Sequence, residues 1–144
     1  LNKNPLTFKE IDPNQADQHT GIPVNPIIAG IANEVHNMGE VWCVTLWEAR
    51  AKLVGRYGFA GNQIMQQLVT DGMILCPPNP NFIQARDAFF QAVLVSGYCS
   101  SDWGRLWEAF SKRGMGGGAS APDVSTSSGV VESFAGGPAS PCDE

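Results

Sequence analysis

The chain has 144 residues and a mass of 15.4 kDa, the size of one modest domain. Hydrophobic residues make up 43%, enough for a core, and the net charge is -5 from 9 basic and 14 acidic side chains. An acidic chain with no Lys/Arg cluster argues against nucleic acid or an anionic membrane surface as partner, and no apolar run approaches the roughly 20 residues of a membrane span.

Residues 1–32 read as extended chain. Pro5, Pro13, Pro23 and Pro26 each remove a backbone donor and push the preceding residue out of the helical region. The apolar but broken run Gly21-Ile22-Pro23-Val24-Asn25-Pro26-Ile27-Ile28 is expected to cross a surface groove before a helix. The opening Leu1-Asn2-Lys3-Asn4-Pro5 has the character of a loop within a longer protein, so the chain is expected to be a fragment.

The strongest helix signal follows. Val35, Met38, Trp42, Thr45, Leu46, Ala49 and Leu53 recur at the spacing of one buried face. Asn33 is the expected N-cap, and Arg50, Lys52 and Arg56 suit the negative C-terminal end, which Gly58 and Gly61 close. Trp42 and Trp47 point to different sides, the mark of a central helix. A short second helix is expected over Gln63–Thr70, ended by the turn signal Asp71-Gly72. The third starts at the cap Asn81 and buries Phe82, Ala85, Phe89, Ala92 and Val93 before Ser96-Gly97. The fourth starts at a Ser101 or Asp102 cap and carries Trp103, Leu106, Trp107 and Phe110 to the stop Lys112-Arg113-Gly114.

From Gly114 onward roughly two-thirds of residues are Gly, Ser, Ala or Pro, a composition that does not order itself. This segment also holds Asp123, Glu132, Asp143 and Glu144 without a single base. The sequence therefore divides into an all-α bundle at 1–113 (extended 1–32, helices within 33–113) and a flexible linker or tail at 114–144.

The chemistry on offer is sparse. There are two His residues, His19 and His36, and no His-Glu-x-x-His, Cys-x-x-Cys, phosphate-binding Gly loop or Gly-x-Ser-x-Gly. Cys76 and Cys99 with the two His match no zinc spacing. His36 is the candidate catalytic residue. It sits in the first turn of the central helix, where exposed amides favour anions and a His can donate to an oxyanion; the alternative is a His satisfied by a backbone carbonyl. Glu34 and Glu40 flank it as possible orienting carboxylates. Arg86 and Asp87 on the third helix, and Glu48 and Arg50 on the first, are candidates for ionic contacts that fix helix packing. Cys76 and Cys99 bracket the third helix and are candidates for a bridge, whereas Cys43 is expected as a buried thiol and Cys142 as unpaired.

Several longer motifs occur in order. They are Asn4-Pro5-Leu6-Thr7-Phe8, Val35-His36-Asn37-Met38-Gly39-Glu40-Val41-Trp42, Leu68-Val69-Thr70-Asp71-Gly72-Met73, Asn79-Pro80-Asn81-Phe82-Ile83-Gln84-Ala85-Arg86-Asp87-Ala88, and Trp107 through Ala109-Phe110 to Lys112-Arg113-Gly114-Met115-Gly116. Over residues 4–118 this set resembles the C-terminal half of the fungalysin family of secreted zinc metalloendopeptidases, which is distantly thermolysin-like. The resemblance implies that His36 donates to the tetrahedral oxyanion. It also implies that zinc serves the full enzyme but is not bound by this chain alone, which lacks the His-Glu-x-x-His motif and is expected to be inactive by itself. The implied partners are the N-terminal zinc-binding lobe of the same enzyme and a peptide or protein substrate. Secretion and a Cys76–Cys99 bridge follow from the same resemblance. The competing expectation is a non-catalytic helical interaction module that has lost peptidase chemistry.

Overall fold

The computed structural model describes residues 6–14 and 33–142. It contains a short 3-10 helix, Phe8–Ile11, and four α-helices: α1 (Val35–Tyr57), α2 (Ala60–Leu75), α3 (Phe82–Val95) and α4 (Cys99–Lys112). No strand is present among the described residues beyond two isolated bridges, Met115 with Ser133 and Ser120 with Val131. The fold is the expected all-α bundle. No described helix is long and apolar enough to cross a membrane.

α1 is the axis of the bundle and packs against α2, α4 and the 3-10 helix. Its buried stripe is Asn37, Val41, Thr45, Ala49 and Leu53, a run of four-residue steps. The expected stripe is thus rotated: Val35 is 67% exposed, and Met38, Trp42 and Leu46 pack only partly. The cap is Glu34 rather than Asn33, with its carboxylate accepting from the amides of His36 and Asn37. Gly58, at φ 60, closes the helix as expected, but Gly61 belongs to α2 and lies on the Leu53 backbone, where a Cβ would collide.

α2 runs through Asp71-Gly72 instead of turning there. Gly72 faces α3, and a Cβ on it would sit 3.1 Å from Phe89 Cα. A helical Gly costs about 1 kcal/mol relative to Ala; close packing of α2 on α3 offsets it. The helix stops at Cys76, before Pro77-Pro78.

α3 has the expected cap, completed as a capping box. Asn81 Oδ1 accepts from the Gln84 amide at 2.9 Å, and Gln84 Oε1 accepts from the Asn81 amide at 2.9 Å. Phe89, Ala92 and Val93 are buried, as is Phe90, which stacks on Trp107 at 4.0 Å. α4 begins at Cys99, earlier than its expected cap. Asp102 is fully buried inside its first turn and accepts from Tyr57 Oη at 2.6 Å and Ser101 Oγ at 2.7 Å. Trp103, Leu106, Trp107 and Phe110 enter the core as the spacing predicts.

Two corrections concern the chain ends. The N-terminal residues 6–11, expected as loop, insert Leu6, Phe8 and Ile11 into the core. The expected flexible tail is, over 114–142, a strap laid across the helices. Met115 and Val130 are buried, Trp103 Nε1 donates to Pro138 O at 2.9 Å, and Ser111 Oγ donates to Ala135 O at 2.8 Å. Gly137 rests against the Trp107 ring so closely that no Cβ fits. The strap buries few large apolar side chains, so backbone bonds and small residues do much of the holding.

The disulfide is Cys99–Cys142, with a Cα separation of 5.9 Å, and not Cys76–Cys99. Ser140 explains the geometry: its Oγ donates to Cys99 O and accepts from the Cys142 amide, folding the strap back onto the start of α4. Cys76 sits at the end of α2 facing α1 and α3, where burial pushes its thiol up. Cys43, expected buried, is exposed.

Candidate functional site

His36 lies in the first turn of α1, with its side chain 65% exposed. Glu34 precedes the helix in an extended conformation, φ -67 and ψ 138, which returns its carboxylate toward the first turn. Glu34 Oε2 accepts from the His36 amide at 2.9 Å, while Oε1 lies 2.8 Å from His36 Nδ1. One carboxylate therefore caps the helix and orients the imidazole. Nδ1 is committed to Glu34, which leaves Nε2 as the ring nitrogen free to meet a ligand. The hydrogen bond from His36 holds the Glu34 carboxyl below the usual range, helped by the two backbone amides and opposed by burial. The helix dipole adds positive potential at the same place.

Of the two flanking carboxylates, Glu34 is the one that meets His36. Glu40 is half-buried, and its Oε2 has no hydrogen-bond partner among the described residues. Burial pushes its carboxyl above the usual range. His19 and the Ile22–Ile28 run lie outside the described residues, as does most of the expected extended segment 1–32.

The ion-pair candidates are sorted by the structure. Arg86 pairs with Asp87 at 2.7 Å, and its guanidinium also reaches the carbonyls of Met115 and Gly116, tying α3 to the strap. Glu48 pairs with Lys112 at 2.7 Å and Arg113 at 2.6 Å, fixing α1 against the end of α4. Arg50 stacks over Trp47 at 4.3 Å. Burial alone would push the Glu48 carboxyl up, but the bonds from Lys112 and Arg113 outweigh it and hold the group below the usual range.

Two surface features escaped the sequence. A groove of about 450 Å³ between α1 and α2 is lined by Leu46, Trp47, Met65 and Val69, with Cys43 at its wall. Trp47 stands 55% exposed beside it. A second groove begins at the first turn of α1, where Val35, Met38 and Gly39 face Asn81, Phe82 and Ala85 of α3 across about 280 Å³. Helix periodicity gave each wall separately but not the crossing that joins them.

A zinc ion does not fit the described residues. Among them, no group of three or more His, Cys, Asp or Glu side chains is gathered where it would hold a metal. His36 has Glu34 as its neighbour, and Cys99 is consumed by the disulfide.

Comparison with known proteins first defines a class. The chain is similar to proteins named extracellular metalloproteinases. It is 42% identical over 102 residues to extracellular metalloproteinase MEP of Pyricularia oryzae, covering 59% of this chain and 16% of that protein. It is 38% identical over 113 residues to extracellular metalloproteinase mep of Aspergillus niger, covering 67% and 17%. Extracellular metalloproteinase 1 of Trichophyton equinum is 36% identical over 119 residues, covering 69% and 19%. The chain thus spans less than a fifth of the length of these relatives. The particular family follows from its profile, fungalysin metallopeptidase (M36), which matches residues 1–119. The chain belongs to the fungalysin family.

Proposed function

We propose that this chain is the C-terminal helical lobe of the catalytic cleft in an extracellular zinc metalloendopeptidase, and that His36 is its catalytic residue. The single observation that carries the role of His36 is its geometry: an exposed imidazole, pinned through Nδ1 by Glu34 at 2.8 Å, at the N-terminus of a 23-residue helix.

In this reading His36 acts on the substrate and not on the metal. With Nδ1–H donating to Glu34, a protonated ring offers Nε2–H outward. That proton is placed to hydrogen-bond the oxyanion that forms when a peptide carbonyl becomes tetrahedral. The carboxylate balances the imidazolium charge, and the helix N-terminus favours the developing negative charge beyond it. Because the donor is fixed before the reaction, little reorganisation is needed at the transition state. Zinc, in such enzymes, supplies the activated water; its ligands belong to the N-terminal lobe and not to this chain. The apolar α1–α2 face with exposed Trp47 is the surface we assign to contact with the remainder of the enzyme. Alone, the 144 residues do not cleave peptides.

The relatives' names support extracellular location, and the disulfide is compatible with it. The test is kinetic, in the full-length enzyme. His36→Ala is expected to lower kcat about 10²–10³-fold with KM and melting temperature little changed. An unchanged kcat would remove the oxyanion role.

A further inference from the structure

The groove that starts at the first turn of α1 does not end with its apolar part. A second cavity of about 300 Å³ continues it, sharing Met38, Pro80, Asn81 and Phe82 with the first. Its remaining wall comes from Ile11, Asn33, Asn79 and strap residues that include Ala121 and Ser125–Ser127. All of that strap wall lies beyond residue 119, where the family match stops. Asn81 Nδ2 donates to Pro122 O at 3.2 Å, which fixes the strap over the N-terminus of α3.

Two features define what fits. Asn33 Oδ1 and Ser127 Oγ belong to residues lining this second cavity, and both atoms are buried without a hydrogen-bond partner among the described residues. A buried acceptor in that condition is matched by an incoming N–H. Among the described residues, no side chain lining either cavity is charged. The lining therefore runs from an apolar section, floored by Trp42 and Ala85, to a neutral polar section, a sequence that suits a chain with a side chain at one step and backbone amides at the next.

We infer that this groove, between the first turns of α1 and α3 and walled by the strap, is a binding site for an extended, uncharged segment of the peptide substrate. An apolar substrate side chain occupies the section beside Trp42 and Ala85. The substrate backbone N–H groups meet Asn33 Oδ1 and Ser127 Oγ. This rests on the proposed peptidase function, because it places the segment next to the turn that carries His36.

The test uses the full-length enzyme and two matched peptide series, one varying a single position between Gly, Leu and Asp, the other stepping that variation along the peptide. Ala85→Trp fills the apolar section. It is expected to raise KM about 10-fold for Leu at one position while leaving the Gly peptide and kcat nearly unchanged. Ser127→Val removes the polar partner on the strap and is expected to raise KM about 3- to 10-fold for every peptide that reaches the second section. If Ala85→Trp lowers the melting temperature, Ser127→Val decides alone. Wild-type KM and wild-type preference in Ser127→Val would overturn the groove assignment. His36→Ala, measured alongside, separates the two ideas: a lost kcat there with unshifted KM in the groove variants sinks the groove only, whereas an unchanged kcat sinks the oxyanion reading.

Discussion

The two ends of α1 are held in opposite ways. At its start, His36 and Glu34 are bound to each other and to the local backbone, across two or three residues of sequence. In its second half, the side chains that form its ion pairs reach across the molecule. Glu48 grips Lys112 and Arg113 at the end of α4, Lys52 reaches Glu108, and Tyr57 reaches the buried Asp102. Between them the core closes over Val41, Ala49 and Leu53, all fully buried. The distal end fixes the helix in the molecule, and the proximal end fixes one imidazole on the helix. The imidazole stays accessible, so its orientation comes from one short carboxylate contact and not from burial.

Variants that attack the packed body sharpen this contrast. The largest expected effect is Phe110→Ala. That ring is fully buried against Trp42, Phe89 and Phe90, at centroid distances of 6.1, 5.3 and 5.2 Å. Its loss should cost about 4 kcal/mol, read by denaturant unfolding.

Cutting the strap comes next. Cys142→Ser opens a link spanning 43 residues of sequence and should cost about 2–4 kcal/mol. Reducing agent should lower the melting temperature of the native protein to that of the variant, and should leave the variant itself unchanged.

Glu48→Gln is expected to cost about 2 kcal/mol at neutral pH, since it removes charge-assisted bonds from Lys112 and Arg113. The sign with pH is set by the lowered carboxyl. Its stabilisation is full above the unfolded value of about 4.5 and is lost as pH falls through the folded value below that. Native and variant unfolding curves should therefore converge in acid.

The smallest effect runs the other way. The Glu40 carboxyl is raised by burial, so its contribution is full below about 4.5 and is lost as pH rises through the folded value. Glu40→Gln should give a slight gain in melting temperature at pH 7 that disappears at pH 4.

The sequence carried the helices well because their apolar residues recur every three or four positions. Asn81 with Gln84 was legible as a cap for the same local reason. Gly72 misled because a turn signal and a close-packing device look alike in sequence; only the neighbouring Phe89 backbone tells them apart. The strap misled more deeply. Its order comes from carbonyls that receive Trp103, Ser111 and Arg86, and from Gly137 under Trp107, none of which composition records. The disulfide followed it, since Cys142 has a partner only once the strap is laid down. At the site, His36 stood out through its place in an ordered motif. Its orienting carboxylate did not, because Glu34 and Glu40 both flank His36, two and four residues away, and only the extended backbone at Glu34 turns one of them back.

The most direct test of the central claim is a double-mutant cycle on His36 and Glu34 in the full-length enzyme, read as kcat at pH 7. Glu34→Gln alone should lower kcat about 10-fold, as expected for a lost orienting partner. In the His36→Ala background the same change should cost nothing further, because Glu34 acts through the imidazole. Equal losses from Glu34→Gln in both backgrounds would contradict the account and show that the two residues work independently.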